Sequence, residues 1–188
     1  MQFSRRAFMG TGAAAVLLAA CDSNITGNGI GSRGSAQIDA RVSATRTYLF
    51  NNYAGTRDLA NKAAGILFMP LVTEAGFGFG GSYGRGALQI NGSTVDYYSA
   101  TRASFGLQIG AQQFAHALFF MTDAALSDFR RSSGWVAGAN IRYATPEQGA
   151  SIGKETTELD PVIGFIFGQQ GLLAGATVSG SKYNRIIP

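Results

Sequence analysis

The chain has 188 residues, with 15 Lys and Arg against 11 Asp and Glu, one His and one Cys. A formal charge of +4 with no long basic run provides no field for nucleic acid, and a single thiol excludes an internal disulfide and a cysteine-built metal site. The length suits one domain with a real core.

Taken in chain order, Ser4-Arg5-Arg6-Ala7-Phe8 is followed by an apolar run from Met9 that ends in Leu18-Ala19-Ala20-Cys21. A charged start, about a dozen apolar residues and a small-residue cleavage point predict a secretory signal over residues 1–20, too short to span a bilayer as a mature helix. The Leu-Ala-Ala-Cys order looks like a bacterial lipobox, in which the Cys21 thiol receives a diacylglyceryl group before cleavage makes it the new N-terminus. The arginine pair resembles a Tat signal, which exports folded protein; the charged start of an ordinary export signal fits as well. The expected location is the bacterial cell envelope, lipid-anchored and facing the periplasm. Asp22 resembles the inner-membrane retention signal of enteric bacteria, but other bacteria read that position differently, so inner against outer membrane stays open. With Arg5 and Arg6 in the signal, the rest of the chain is close to charge balance. Residues 21–34 hold the lipidated cysteine and DSNITGNGIGSRG, a small, polar, glycine-rich tether reaching roughly 20 Å root-mean-square.

The domain is expected over residues 35–188. From Ser35 to Tyr53 the residues Ile38, Val42, Thr45, Leu49 and Tyr53 fall on one helical stripe, flanked by Arg41 and Arg46. That stripe meets either lipid or the core. Gly55 interrupts the pattern, and Thr56 is the expected N-cap of a second short helix running through Leu59, Ala60 and Ala63 to Gly65.

Beyond Gly65, three segments alternate glycine with large apolar residues at a period of two. In AGFGFGGSYGRGALQI, Gly76, Gly78, Gly80, Gly84 and Gly86 share one face and Phe77, Phe79 and Tyr83 the other. In ASFGLQIGAQ, Phe105, Leu107 and Ile109 alternate with Gly106, Gln108 and Gly110; later, Ile163, Phe165 and Phe167 alternate with Gly164 and Gly168. Glycine weakens an isolated strand, so its recurrence on one side points to sharp curvature or to close approach of another backbone. Asn91-Gly92 is a hairpin turn signal. Asp123 to Ser132 fits a short amphipathic helix capped by Thr122 or Asp123. The expected fold class is α+β: a strongly curved antiparallel sheet or small barrel of Gly/aromatic strands, with N-terminal amphipathic helices and one further short helix packed on it.

Familiar chemical motifs find no support in their surroundings. Gly76, Gly78 and Gly81 satisfy G-x-G-x-x-G, but a strand and an Asn-Gly turn follow where a dinucleotide fold needs a helix, so no nucleotide is expected. A kinase-type glycine hairpin lacks its lysine and its Asp loop. Ser179-Gly180-Ser181-Lys182 matches S-x-x-K only in a strand-like context near the C-terminus. His116 has Phe114, Leu118, Phe119 and Phe120 nearby and reads as a core or interfacial histidine. Glu74, Asp96, Asp123 and Asp128 are scattered and read as solvated or capping groups, which leaves no acid–base pair. Leu67-Phe68-Met69 and Phe119-Phe120-Met121 read as core, or as a greasy pocket; Trp135 is either interfacial or a lid over the core. No cofactor, metal or catalytic residue is assigned.

The blocks AAGILFMPLVTEAGFGFGGSYGRGAL, ASFGLQIGAQ with ALFFMTDAAL and SGWVAG, and FIFGQQGLLAGATVSGSK resemble the SYLF lipid-binding domain family, in the right order from Ser35 to Ile187. Arg85 departs from the family's more usual glutamate in Tyr-Gly-Glu-Gly. The resemblance implies a phospholipid-binding module. Eukaryotic members, often joined to SH3 or FYVE domains, favour phosphoinositides through an N-terminal amphipathic helix, and some bind actin. Phosphoinositides and actin suit a bacterial envelope poorly, so lipid binding is carried over and head-group specificity left open. Arg41, Arg46, Arg57 and Lys62 match the family's helical region in position and are the candidate head-group ligands, snorkelling from beside the apolar stripe at roughly 1 kcal/mol each near an anionic surface. The expectation is a non-enzymatic, membrane-anchored lipoprotein that binds anionic phospholipid; the alternative is a structural or adhesion protein meeting an envelope protein partner through a sheet edge or aromatic patch.

Overall fold

The computed structural model describes residues 33–138, 141–144, 160–171 and 177–188. The expected signal, Cys21 and the tether up to residue 32 lie outside the described residues, as do the side chains of 104–109. In chain order the elements are α1 (Arg33–Asn52), α2 (Gly55–Lys62), β1 (Gly65–Ile90), β2 (Ser93–Phe120), α3 (Asp123–Arg131), β3 (Trp135–Val136), β4 (Ile141–Ala144), β5 (Val162–Gly171) and β6 (Lys182–Ile186).

β1 and β2, 26 and 28 residues long, make one antiparallel ribbon closed by Asn91-Gly92, whose φ angles of 50° and 78° are those of a type I′ turn. β5 pairs with β2 from Gln112 to Phe120 and β6 with β2 from Tyr97 to Thr101; β4 adds to β5 and β3 to β6. Every pair is antiparallel except β4 with β5, so the sheet is mixed where an antiparallel one was expected. Parallel pairing requires a crossover of a dozen or more residues, and the sequence between Ala144 and Val162 is long enough for it.

A straight strand the length of β1 would reach roughly 85 Å, so the ribbon has to fold. It creases where its register slips between Phe77 and Phe79, and the second half of β1 returns across the first. A Cβ at Gly84 would sit 2.7 Å from the Leu71 carbonyl oxygen, and one at Gly86 would run into the carbonyl oxygen of Phe68. These two glycines therefore mark the close backbone approach that their spacing predicts.

Alternate residues of the ribbon feed two cores. Leu67, Met69, Leu118 and Phe120 point into the fold, where they meet Phe129 of α3, Tyr98 and Tyr183; Phe68, Phe119, Ile163 and Phe165 point outward, against α1 and α2. Ile38, Val42 and Leu49 of α1 are buried there, each contributing about 1.5 to 3 kcal/mol. The apolar stripe of α1 thus faces the sheet. Polar clamps fix the helix: Asp39 accepts from Thr94 Oγ1 at 2.9 Å and from the Tyr97 hydroxyl at 2.8 Å.

Two local expectations are corrected. Thr56 lies inside α2, buried, and its hydroxyl donates to the Tyr53 carbonyl at 2.6 Å; the N-cap position is Ala54, because that hydroxyl is taken by the end of α1. α2 also stops at Lys62, before Gly65, since the Ala64 amide already donates to the Phe120 carbonyl at 2.8 Å and extends the ladder. α3 is capped as expected, with the Thr122 hydroxyl accepting from the Ala125 amide at 3.2 Å. No helix among the described residues is long and apolar enough to cross a membrane.

Candidate functional site

The glycine and S-x-x-K motifs fall in strands and a turn among the described residues. Gly76, Gly78 and Gly81 lie in β1 around the crease, without a helix N-terminus to receive a phosphate. Ser179 and Gly180 form a turn and Lys182 opens β6, so no helix carries the S-x-x-K segment. Trp135 is half-buried and packs edge-on to Phe120 and Phe129, closing the inner core. Among the described residues no group of three or more His, Cys, Asp or Glu is placed to hold a metal.

Polar side chains do gather inside the fold. His116 is buried with Nε2 2.8 Å from the Tyr183 hydroxyl, and burial lowers its pKa to about 3, so it is a neutral core histidine as expected. Burial likewise pushes the Tyr183 hydroxyl pKa far up. Glu74 corrects the sequence reading. It is 2% exposed, ion-paired to Arg102 and bonded by Gln112 Nε2 at 2.8 Å, neither solvated nor capping. Its partners come from the far part of β2, beyond the reach of local pattern. Asp96 bridges Arg130 at 3.0 Å and Arg185 at 3.2 Å, and Asp128 pairs with Arg131 at 3.2 Å within α3. Asp123 sits in the first turn of α3.

The four candidate cations do not converge. Arg46 is drawn to the hairpin turn, donating to Gln89 Oε1 at 3.2 Å and to the Gly92 carbonyl at 3.4 Å. Arg57 lies 5.5 Å from the Phe50 ring centroid and within 3.5 Å of Asn51 Oδ1. Lys62 is exposed on α2 and has a partner of its own. Arg41 is different. Exposed on α1, it shares a cleft of about 150 Å³ with Arg85 and Tyr83 of β1, and among the described residues no carboxylate pairs with either guanidinium.

The outer face of β1 extends from this cleft. Odd-numbered residues point outward past the Met69/Val72 register slip, and Leu71, Phe77, Phe79 and Tyr83 stand exposed along it, the two phenylalanines at 79% and 76%. Two cations with no carboxylate partner among the described residues, beside a strip of exposed aromatic and aliphatic side chains, form an amphipathic surface suited to an interface between water and an apolar phase. Little of this surface is legible in the sequence. Phe77, Phe79 and Tyr83 were assigned to one face of the strand, which is correct, but what that face meets depends on α1, which covers β1 only in part. Arg85 was read as a departure from family pattern; its pairing in space with Arg41 had no local signal.

Residues 101–185 match the model of the family Ysc84, described as Las17-binding protein actin regulator. This is the SYLF family that the glycine-aromatic blocks resemble, and the match is to that stretch of the chain. The match spans most of β2, α3 and the strands through β6; the exposed face of β1 and α1 lies N-terminal to it. No curated protein matches the chain.

Proposed function

We propose that this protein is a non-enzymatic lipoprotein of the bacterial envelope, anchored through acylated Cys21 and facing the periplasm, whose domain binds anionic phospholipid head groups. The observation that carries the proposal is the exposed strip of Phe77, Phe79 and Tyr83 beside the unpaired Arg41 and Arg85. The tyrosine ring with its hydroxyl suits the boundary of a bilayer, the phenylalanine rings suit the hydrocarbon just beneath it, and each arginine near an anionic surface contributes roughly 1 kcal/mol. The family resemblance supplies independent support, since SYLF domains are lipid-binding modules. Two acyl chains at about 0.8 kcal/mol per buried methylene suffice for anchoring, so the domain's own affinity serves to orient it on the bilayer or to engage a second lipid. Among the described residues the buried Glu74 is held by Arg102 and Gln112 and His116 by Tyr183, pairings that tie distant parts of the sheet together.

The family description favours a second reading, because it names a protein as the bound partner. In that reading the same aromatic strip meets an envelope protein. Flotation of the full chain carrying Cys21→Ser with phosphatidylglycerol and phosphatidylcholine vesicles separates the two. Binding should be stronger to the anionic vesicles and fall about tenfold or more in Arg41→Gln/Arg85→Gln. Equal binding to both vesicle types would overturn the lipid reading, and recovery of one envelope protein in a pull-down would then favour the second.

A further inference from the structure

We infer that the α1 flank of the sheet holds one phospholipid molecule, its phosphodiester in the Arg41–Arg85 cleft and one acyl chain in an adjoining apolar groove; this rests on the lipid reading above. The two sites are created by one backbone irregularity. Between Met69, opposite His116, and Val72, opposite Phe114, the chain inserts Pro70 and Leu71 against the single residue Ala115. Proline, which has no amide hydrogen for the ladder, is tolerated at such a bulge, and the extra residue throws Leu71 outward, 38% exposed.

Pro70 and Leu71 form a ridge. On one side lies the cationic cleft of about 150 Å³, with Arg41, Arg85 and Tyr83; on the other lies a groove of about 450 Å³ between α1 and the sheet, walled by Ala44, Tyr48, Leu71, Ala115 and Phe167. The groove has no charged side chain in its lining, and its polar members are Thr45, Gln113 and Gln170. Tyr48 stacks on Phe167 with ring centroids 6.2 Å apart and planes at 17°, giving it a flat aromatic wall. Arg41 and Tyr48 are two helical turns apart, about 10 Å along α1, so a head at the first and a tail at the second belong to a single amphiphile.

Charge and hydrogen bonding choose this occupant. The guanidiniums complement a phosphate, and the groove complements hydrocarbon. An extended peptide would need an open strand edge, but Gln113 and Ala115 on the groove floor are already paired with Gln170 and Phe167 in the ladder. Free phosphate shares the chemistry of the cleft and none of the groove.

The test uses the full chain with Cys21→Ser and monomeric lysophosphatidylglycerol below its micelle concentration, followed by calorimetry and by the methyl NMR signals of Ala44, Leu71 and Ala115. One-to-one saturable binding that shifts those methyls is expected. Filling the groove with Ala44→Trp, or roughening it with Leu71→Ser, should weaken binding about tenfold, and glycerol phosphate alone should bind about a hundredfold more weakly. Glycerol phosphate binding as tightly as the lipid would mean a phosphate site only and overturn the inference. So would anionic vesicles that bind while the monomer does not, or monomer binding indifferent to both groove variants; the vesicle result leaves the membrane-surface reading standing. If neither vesicles nor monomer bind, both fall.

Discussion

At the base of the ribbon, Gly84 and Gly86 lie against the Phe68–Leu71 backbone while Ala87 and Leu88 enter the two cores; at the crease, Phe77 and Phe79 keep the same alternation with Gly76 and Gly80 but stand exposed. One sequence pattern therefore serves two physical ends. At the base it removes side chains so that two stretches of one strand can cross. At the crease the large side chains stand exposed, because α1 packs Ile38, Val42 and Leu49 over the base of the outer face and, among the described residues, no helix extends over the crease. Alternation specifies a strand; what each face meets is decided by elements distant in sequence.

The sharpest way to break the comparison is to give the base a side chain. Gly86→Ala places a methyl group on the Phe68 carbonyl oxygen and next to Met69 Sδ, where only backbone movement relieves the clash. The expected cost is about 4 kcal/mol or outright failure to fold, read from the urea midpoint. Gly81 serves as the control. A Cβ there has one neighbour, the Arg102 carbonyl oxygen at 3.2 Å, so Gly81→Ala should cost far less. Equal stability of the two variants would show that the ribbon does not cross itself there.

The base also encloses a titratable group. His116 is buried neutral with its pKa lowered to about 3 by desolvation, against 6.5 when unfolded. Because the unfolded chain binds the proton more tightly, this contribution to stability is fully present above pH 6.5 and is lost as the pH falls towards 3. The parent should lose about 2 to 3 kcal/mol between pH 7 and 4.5 from this residue. His116→Leu, whatever its stability at pH 7, should lack that part of the slope. An unchanged slope would place His116 in contact with water.

How far these differences were legible in the sequence follows from their range. The helices α1 and α3 and the Asn91-Gly92 turn rest on contacts within a few residues and match their sequence patterns, and repeated glycine signals the curvature even though the approaches it permits, Gly86 to Phe68 among them, are distant in sequence. Thr56 is the exception among the local features, because its hydroxyl donates to the Tyr53 carbonyl just past the end of α1, with the Leu49 carbonyl 3.4 Å away, and is not left to cap α2. Glu74 was misread because Arg102 and Gln112 reach it only once the ribbon folds. Of the site, Arg41 was named; Arg46 and Arg57 were named with it, but their partners in the turn and on Phe50 draw them elsewhere. Arg85 and Leu71 depend on the bulge and the crossing, which no window of sequence displays.

The smallest expected effect isolates the crease. Phe77 and Phe79 contribute little to either core, so Phe77→Ser/Phe79→Ser should leave the urea midpoint within about 0.5 kcal/mol of the parent. Their loss should still weaken binding to anionic vesicles about tenfold, which corresponds to about 1.4 kcal/mol. The salt response distinguishes them from the arginines. Arg41→Gln/Arg85→Gln should flatten the fall of binding with ionic strength, because the guanidiniums supply the screened part of the attraction. The phenylalanine pair should lower binding equally at low and high salt, since burial of aromatic area is not screened. If the two double variants respond to salt alike, rings and cations do not act as separate parts of one membrane-facing surface. A phenylalanine pair that destabilises the fold would place the crease among the packed regions and erase its difference from the base.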